Sequence, residues 1–492
     1  MARKRPSECE RCGRLEQDLH ELKERIARLE IELAKAKKNS TNSSKPPSSD
    51  ITKPDDTKKT ADGKSAKRKR GGQPGHPRHQ RPAFEPSEVQ QYFDYYYSGC
   101  PDCGGELEYR EQPRRVLQQM DLVIQPIRIT EHRSLECVCL DCRKTHAAPI
   151  PEDIRRAGLV GPRLTVLVGY LKGACHCSFS TIRKFLRDVA GVKISRGHLR
   201  NICAKVSDSL QPAWQELLEQ LPFEAVLNVD ETGHKDNGKR MWTWCFRASL
   251  ATLFKIDASR GSDVLLEVLG KEFDGLLGCD YFSAYRKYMR LNDNVLVQFC
   301  LAHFIRDVKF LETHPDKKNR VYAEGILKAL RQLFDVIHRR ETLSQREFRK
   351  QLEQAGDVLT YWVIGDFPST REAQNLADRF HKHGVSYLQF ITTPGIEPTN
   401  NLAEQAIRFV VIDRQITQGS RSEAGQRWLE RIWTVIATCT QQGRSVFEFI
   451  EQSMAAHWGR RSGPSLVIPH SANERRVPRS RLSRGVVGIS QA

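Results

Sequence analysis

The stretch EAVLNVDETGHKDNGKRMWTWCFRASLATLFKIDAS, residues 224–259, decides the fold of the central part of this chain. It contains three closely spaced runs rich in β-branched and aromatic residues, 224–233, 239–248 and 252–259. The polar segment HKDNGK forms an evident turn between the first two runs. Short apolar runs bounded by turn residues are typical of strands, so the stretch predicts a three-stranded meander.

The residues that follow continue the pattern of an α/β layered domain. GSDVLLEVLGKEF, residues 261–273, predicts a helix, and GLLGCDYFSAY, residues 275–285, begins as a buried strand. NVLVQFCLAHFIRDVKFL, residues 294–311, predicts a strand that passes into a helix. This order predicts a mixed sheet with covering helices. Residues 311–390 carry polar helical patterns and are interpreted as a helical insertion.

The N-terminal region predicts a coiled coil followed by a basic linker. Residues 15–36 place apolar side chains at alternating steps of four and three, which is a heptad seam. An amphipathic helix docked on its own chain is the alternative. Residues 39–82 are rich in Ser, Pro, Gly and Lys and cannot build a core, so they are either a phosphate-binding arm or a solvated spacer.

Two Cys-x-x-Cys pairs, CPDC and CLDC, predict a structural zinc ribbon. Four thiolates from Cys100, Cys103, Cys139 and Cys142 can bind one Zn²⁺ tetrahedrally and leave no position open for catalysis. The stretch RRVLQQMDLVIQPIRIT between the pairs is strand-like. The separation of the two pairs is long, and Cys137 is a competing thiol, so two further interpretations, another ligand set and free thiols, stay open.

The segment SFSTIRKFLRDVAGVKISRGHLRNICAKV resembles a helix-turn-helix. It carries two helical patterns broken at AGVKIS, with Ser180 and Ser195 as expected N-caps. Arg196, His198 and Arg200 would then face a DNA groove or backbone. An ordinary pair of core helices is the equally weighted alternative.

The composition favours a polyanionic partner. The 492 residues include 78 Lys and Arg against 60 Asp and Glu, a formal net charge of +18. The apolar runs are too short to span a membrane, and the charged N-terminus lacks the core of a signal peptide. We therefore expect a cytoplasmic, nucleoid-associated protein with no membrane partner, in which the 14 cysteines are metal ligands or free thiols.

Three carboxylates stand in largely apolar surroundings. Asp230 and Asp280 each close an apolar strand, AVLNVD and GLLGCD, and Glu404 lies on a mostly apolar helix in EPTNNLAEQAIR. Buried carboxylates need a partner or a cation. Purely structural roles are the alternatives. Strand-end aspartates often cap turns, and Glu404 can pair with Arg408 one helical turn later. Together, the three side chains can hold two Mg²⁺ ions, as in phosphodiester displacement.

Several motifs together resemble the IS66 family of insertion-sequence transposases. They are NSSKPPSSD, RGGQPGHP, the paired knuckles, VDETGHKDNGKRMWTW, CDYFSAYRKY, CLAHFIRD and the long EPTNNLAEQAIRFVVIDRQITQGSRSEAGQRWLERIWTVIATCTQQGRSVFEFI. The resemblance spans roughly residues 20–450. It implies an RNase H-like catalytic core with a DDE triad, interrupted by a helical insertion before the glutamate.

Position by position, the resemblance assigns Asp230, Asp280 and Glu404 as the triad. It implies binding of terminal inverted repeats, Mg²⁺-dependent end cleavage and strand transfer into target DNA, with two metal ions and Mn²⁺ as a substitute. It also suggests a homodimer or higher oligomer and accessory proteins encoded by the same element.

Other residues in the matching motifs are expected to support the triad or contact DNA. Asn400 and Asn401 are expected to cap the Glu404 helix, with contact to DNA as the alternative, and His303 and Arg306 are expected either to contact phosphate or to make orienting bonds inside the fold. The expected cationic face of the last segment consists of Arg408, Arg414, Arg421 and Arg427. Arg421 is the first choice for a phosphate contact.

The fold class is therefore a multidomain α/β protein with a coiled coil, a zinc ribbon and a helix-turn-helix-like domain before the RNase H-like core. A DNA-binding regulator that has lost catalysis and a stand-alone nuclease are the alternative hypotheses. The expected domains are the coiled coil 1–38, the basic linker 39–82, the zinc ribbon 83–150, the helical DNA-binding domain 151–222, the core 223–310, the insertion 311–392, the last part of the core 393–450 and the basic tail 451–492.

Overall fold

A computed structural model describes residues 10–36, 83–95, 98, 100–106, 116–120, 126–138, 140–141 and 144–468. The predicted basic linker, most of the C-terminal tail, Cys139 and Cys142 lie outside the described residues. The chain divides into two compact units, one formed by residues 1–53 and 132–492 and the other by residues 54–131. Each is described by itself.

The unit of residues 54–131 consists of turns and extended segments where it is described. It contains a short 3₁₀ turn at Pro86–Glu88, and the Gln118 side chain bonds both to the backbone N–H and to the carbonyl of Phe84. The predicted strands before residue 131 are wrong for segments 116–120 and 126–130, which have no ladder partner.

The unit of residues 1–53 and 132–492 begins with helix α1, Glu10–Ala36. The apolar residues of its seam, Leu19, Leu22, Ile26, Leu29 and Leu33, are each 53–58% exposed. The helical part of the coiled-coil prediction is thus confirmed, and the seam is not covered by the rest of its own unit. A short antiparallel ribbon follows, with strands β1, Glu136–Val138, and β2, Thr145–Ala147.

Four further α-helices lie between the β1–β2 ribbon and the sheet along the chain. They are α2, Glu152–Ala157; α3, Pro162–Gly173; α4, Phe179–Ala190; and α5, Arg196–Gln220.

Helices α4 and α5 form the predicted pair, and the turn between them begins at Gly191, which has φ of +67°. Ser195 caps α5 as expected, accepting from the His198 N–H. The expected cap at Ser180 is wrong, because α4 begins earlier and Ser178 accepts from the Thr181 N–H instead. Both serines suit an N-cap, so the local sequence does not distinguish them.

The central sheet has five strands in the order β5-β4-β3-β6-β7. Strands β3, β4 and β5 are antiparallel neighbours, whereas β6 runs parallel to both β3 and β7. The order of elements matches the one predicted. The bounds are β3, Val226–Asp236; β4, Lys239–Arg247; β5, Thr252–Asp257; α6, Ser262–Leu269; β6, Leu276–Cys279; α7, Ser283–Leu291; β7, Leu296–Phe299; and α8, Leu301–Glu312.

The turn between β3 and β4 consists of Asn237 and Gly238, which have φ of +47° and +82°. Positive φ at both central residues is the conformation that matches the twist of a two-residue hairpin, and Asn-Gly adopts it readily. The turn sets the register of the long hairpin, with Asp236 opposite Lys239 and Asp230 opposite Cys245.

The remaining helices complete the unit. Four of them occupy the predicted insertion, and α13 and α14 then return to the sheet, with α13 contacting β3 and β4 and α14 contacting β5. Their bounds are α9, Lys317–His338; α10, Gln345–Ile364; α11, Arg371–Tyr387; α12, Gln389–Thr392; α13, Asn401–Thr417; α14, Glu423–Gln441; and α15, Val446–Trp458.

Helix α14 covers the edge strand β5 with a row of hydrogen-bond acceptors. Backbone N–H groups of alternate β5 residues, 252, 254 and 256, donate to side chains one helical turn apart on α14. The acceptors are Thr438 (3.0 Å), Thr434 (3.0 Å) and Glu430 (2.6 Å). An unpaired strand edge invites association with other strands, so the helix satisfies and blocks this edge.

None of the described helices combines the length and the apolar character needed to cross a membrane.

Candidate active site

Asp280 follows the last residue of β6, as expected, but Asp230 does not end its strand, because β3 continues to Asp236 in the hairpin with β4. Asn228 of β3 is opposite Gly278 of β6, and each aspartate comes two residues later, just beyond the paired part of the two parallel strands. This register brings the two side chains to the same side of the sheet edge. One oxygen of Asp230 accepts from the Glu231 N–H, and one oxygen of Asp280 accepts from the Phe282 N–H.

Glu404 joins them from the first turn of α13. Asn400 fixes this helix to the sheet: its amide nitrogen donates to the Val229 carbonyl at 2.8 Å, and its amide oxygen accepts from Asn228 at 3.0 Å. Asn400 stands at the N-cap position, but its side chain does not cap the helix as expected. It ties the start of α13 to the β3 strand that carries Asp230.

The three carboxylates influence one another electrostatically. Burial raises the pKa of Asp230 well above its usual range, and the neighbouring charges of Glu231, Asp280 and Glu404 raise that pKa further. Burial also raises the pKa of Asp280. Carboxylates that share a low-dielectric site repel one another, so their ionised forms favour a bound cation.

Glu231, adjacent to Asp230, has complete partners. It is buried, accepts from Arg260 at 2.7–2.8 Å and accepts from the Tyr285 hydroxyl at 2.5 Å. Burial raises the pKa of Glu231 to about 7. Glu231 and Asp230 have different surroundings because adjacent side chains of a strand point to opposite faces. Glu231 was not selected from the sequence, and its position beside Asp230 in DETG was the only available signal.

Helix α8 contacts Glu404 through His303 and Arg306. His303 Nδ1 lies 3.6 Å from one Glu404 oxygen and Arg306 Nη2 lies 3.6 Å from the other. Both distances exceed a good hydrogen bond, and Glu404 Oε1 and His303 Nδ1 are buried without a hydrogen-bond partner in the described structure. Burial, assisted by the charge of Arg306, lowers the pKa of His303 to about 4, so the ring is neutral near pH 7.

Cys300 completes a second set of candidate metal ligands. The ligand atoms of Cys300, His303 and Glu404 lie within 4.8 Å of one another. No ligand role was predicted for Cys300, although it stands three residues before His303 in CLAHFIRD. Arg306 lies 3.6 Å from the other Glu404 oxygen and 3.2 Å from His303 Nε2, and its charge disfavours a cation bound by this set. The acidic cluster of Asp230, Asp280 and Glu404 is therefore the stronger candidate.

The other expected DNA contacts fall into two groups. Arg196, Arg200, Arg408 and Arg421 are exposed. His303 and Arg306 are mostly buried at Glu404.

The expected cationic face of the last segment is only partly present. Arg427 lies 2.7 Å from Glu430, and Arg414 donates to the Thr232 hydroxyl at 3.1 Å. No described ion pair joins Glu404 to Arg408, so the alternative intrahelical pair is wrong.

The first Cys-x-x-Cys pair forms a tight turn. The Cys100 N–H donates to the Gly105 carbonyl, and the Gly104 N–H donates to the Cys100 carbonyl at 2.7 Å. Backbone N–H groups of Asp102 and Cys103 lower the pKa of the Cys100 thiol, which favours the thiolate that zinc binds. The donor chemistry fits a zinc knuckle, while Cys139 and Cys142 lie outside the described residues.

Comparison with known families places this basic chain, with its acidic cluster, among the transposases. The model of the Transposase IS66 family matches residues 157–427 of the 492, a range that includes Asp230, Asp280 and Glu404. The chain belongs to the IS66 transposase family. A second model, described as a family of unknown function (DUF6444), matches residues 8–82.

Two similar proteins come from Sinorhizobium fredii. Uncharacterized protein y4qI is 23% identical over 297 residues, covering 55% of this chain and 54% of that protein. Uncharacterized protein y4hP is 21% identical over 374 residues, covering 69% of this chain and 67% of that protein. The chain thus spans about half the length of the first relative and two thirds of the second.

Proposed function

We propose that this chain is the transposase of an insertion sequence and that Asp230, Asp280 and Glu404 are its catalytic metal ligands. The observation that carries the proposal is the meeting of three carboxylates from distant parts of the sequence, together with the partnerless oxygen of Glu404. A buried carboxylate oxygen without a hydrogen-bond partner is typical of a functional site.

The fold around the cluster supports an RNase H-like core. A three-stranded meander is followed by two parallel strands, with helices between them. The helices of the insertion separate Asp280 from Glu404 along the chain, and α13 then restores the contact with β3.

The donor set fits Mg²⁺. All three side chains offer hard oxygen ligands, and their mutual repulsion is relieved by a divalent cation. When bound, a pair of Mg²⁺ ions would activate the attacking hydroxyl and stabilise the leaving oxygen of a phosphodiester. Mn²⁺ prefers similar ligands and should substitute.

The chain's own residues hold this site in place. Asn400 fixes the start of α13 against β3 and thereby positions Glu404. The ion pair of Glu231 with Arg260 and its bond to Tyr285 hold the middle of β3 on the opposite face. Arg306 gives Glu404 a positive neighbour. Catalytic groups need such supporting contacts, because small displacements of a ligand reduce rates strongly.

The surrounding regions would serve DNA recognition and assembly. Helices α4 and α5 expose Arg196 and Arg200 beside a turn, as expected of a helix-turn-helix that reads terminal inverted repeats. The Cys100 knuckle would contribute to a structural zinc site, and the exposed seam of α1 would pair two protomers. Target DNA and element-encoded accessory proteins complete the proposed set of partners.

The test is cleavage of DNA that carries the ends of the element. Purified wild-type protein and Glu404→Gln are incubated with such DNA and Mg²⁺, and 3′ ends are mapped. The wild type should cut at the element ends and Glu404→Gln should not, while both melt at similar temperatures. Glu423→Gln, on the exposed face of α14, is the matched control and should cut like the wild type.

A metal-binding measurement separates a lost ligand from a lost fold. Mn²⁺ binding, followed by electron paramagnetic resonance, should weaken in Glu404→Gln and not in Glu423→Gln. Equal cutting by wild type and Glu404→Gln would reject the triad. DNA binding without any cutting by the wild type would favour the silent regulator.

A further inference from the structure

A cavity of about 890 Å³ lies at the tip of the β3–β4 hairpin, away from the acidic cluster. Its walls come from the hairpin and from the loop that joins α13 to α14. We call it the hairpin groove. Its positively charged lining residues are Lys235, Arg240, Arg414 and Arg421.

The charge of the hairpin groove is of one sign. The remaining lining consists of glycine, histidine, serine and amide residues, so no carboxylate faces the cavity. Lys235, Arg240 and Arg421 are exposed, and they form no ion pair within the described part of the chain. The Arg240 guanidinium lies over the Trp242 ring, 4.7 Å from its centre. Unneutralised cations of one sign, gathered on a concave surface, are suited to a polyanion.

The loop after α13 is held firmly against the hairpin. The Ser420 N–H donates to the Lys235 carbonyl at 3.0 Å, and the Asn237 N–H donates to the Ser420 carbonyl at 2.9 Å. The Ser420 hydroxyl donates to Asp236 at 2.7 Å and lies 3.0 Å from His234 Nε2. The cations on the two elements are therefore fixed relative to each other.

Gly419 makes this close approach achievable. It has φ of +86°, and a Cβ placed there would lie 2.2 Å from the Lys235 carbonyl oxygen. Only glycine combines that backbone conformation with so little space. The groove is thus formed by specific backbone contacts between the hairpin and the loop after α13.

The hairpin groove lies at a definite distance from the acidic cluster. Lys235 comes five residues after Asp230 on β3, which is about 17 Å along an extended strand. Gln418 comes 14 residues after Glu404 at the end of α13, which is about 21 Å along a helix. Each step of one B-DNA strand advances about 3.4 Å, so both paths correspond to about five or six nucleotide steps.

We propose that the hairpin groove binds the phosphodiester backbone of DNA about five or six nucleotides from the bond that the acidic cluster cleaves. This inference rests on the proposed function, because it takes the cluster as the cleavage site. Lys235, Arg240 and Arg421 contact phosphates, and they position the DNA without reading its sequence.

The first test measures DNA affinity against salt concentration. Full-length wild type, Lys235→Gln, Arg240→Gln, Arg421→Gln and the triple variant bind a labelled duplex carrying an element end, without Mg²⁺. Each lost phosphate contact should reduce the slope of log affinity against log salt by about 0.9, and the triple variant by about 2.7. Lys328→Gln, an exposed lysine on α9, is the matched control and should leave the slope unchanged.

The second test locates the contact on the DNA. A neutral methylphosphonate replaces one phosphate, either five or six steps from the cleaved bond or fifteen steps away. The near substitution should weaken binding of the wild type several-fold and leave binding of the triple variant unchanged. Equal weakening of both proteins, or a triple variant with the wild-type salt slope, would overturn the inference.

These outcomes are independent of catalysis. If the salt slopes change as expected but the wild type never cuts DNA, the groove stands as a DNA-binding surface and the catalytic proposal fails. If Glu404→Gln abolishes cutting while the groove variants bind like the wild type, the catalytic proposal stands and the groove is rejected.

Discussion

Helices α13 and α14 both place a glutamate against the central sheet, and the two carboxylates have very different surroundings. Glu430 of α14 is 1% exposed and accepts from the Ile256 N–H at 2.6 Å and from Arg427 at 2.7 Å. Glu404 of α13 is 26% exposed, and the Arg306 guanidinium and the neutral His303 ring each lie 3.6 Å from it.

The difference distinguishes a structural carboxylate from a candidate catalytic one. A structural carboxylate has its oxygens satisfied by the protein, whereas a metal ligand keeps one available. The same contrast recurs on β3, where Glu231 is bonded to Arg260 and Tyr285, while within the described part of the chain the adjacent Asp230 accepts from a backbone N–H alone. Residues of the same type thus divide according to whether the fold completes their hydrogen bonds.

The largest expected effect is on cleavage, and it comes from substituting a carboxylate whose hydrogen bonds the fold leaves incomplete. Asp230→Asn should reduce end cleavage about a thousandfold, roughly 4 kcal/mol of barrier, because a metal ligand is lost. Without divalent metal, the free energy of unfolding should stay the same or rise, because a repelled buried charge is removed. Cleavage assays and urea unfolding measure the two quantities.

Asp293→Asn, an exposed substitution in the loop before β7, is the control for Asp230→Asn. Unfolding of Asp230→Asn in the absence of metal would mean that Asp230 supports the fold, so it could not be classed as a catalytic and not a structural carboxylate.

Substituting a carboxylate with complete hydrogen bonds should instead lower stability and leave cleavage nearly unchanged. Glu430→Ala removes the partner of the Ile256 N–H and of Arg427, and should lower the free energy of unfolding by about 3 kcal/mol. Cleavage per folded molecule should stay close to that of the wild type. Urea unfolding and active-site-normalised rates check this, with the exposed Glu423→Ala as control on the same helix.

A change of pH should affect stability at His234 on β3 but not at Glu430 on α14. Burial beside Arg414 lowers the pKa of His234 to about 4, from 6.5, so the native state resists protonation there. Stability due to neutral His234 is complete above pH 6.5 and is lost as pH falls towards 4. Burial raises the pKa of Glu430, so acid removes no stability at the α14 contact.

Urea unfolding at pH 6.5 and 5.0 measures this effect. The wild type should lose about 2 kcal/mol more than His234→Gln over that interval, from 1.36 kcal/mol per pH unit. Equal losses in the two proteins would show that the contact between His234 and Ser420 does not depend on a neutral ring.

The smallest expected effect concerns the edge of the sheet. Thr434→Val keeps the shape of the side chain but removes the acceptor for the Phe254 N–H, and should cost about 1.5 kcal/mol. Hydrogen exchange should accelerate at the Phe254 amide in particular. Thr440→Val, whose hydroxyl bonds only to its own helix at the Ile436 carbonyl, should leave that amide protected.

Local patterns predicted most of the elements. The apolar runs after residue 223 predicted three strands and the hairpin turn between the first two. These signals are local, because an apolar strand pattern and an Asn-Gly turn each involve only a few neighbouring residues. The ends of two apolar runs also marked Asp230 and Asp280 as unusual, although strand β3 continues beyond Asp230. The turn between α4 and α5 followed from Gly191, whereas the choice of Ser178 over Ser180 as cap did not.

The partners of each charge could not be predicted in the same way. Arg427 was expected to be available for DNA, yet it pairs with Glu430. Asn400 was expected to cap its helix, yet it bonds to β3, about 170 residues earlier in the chain. Such contacts join segments that are far apart in sequence, and residue type alone does not indicate which segments meet.

Periodicity and residue type are local properties, and they were enough to predict the strands of the central sheet, the main helices and three unusual carboxylates. Only the folded chain shows that Asp230, Asp280 and Glu404 influence one another and that the oxygens of Glu231 and Glu430 have hydrogen-bond partners. It also decided that four cations face one groove at the hairpin tip. The physical reason is that the energy of a buried charge depends on every group around it, and those groups come from the whole chain.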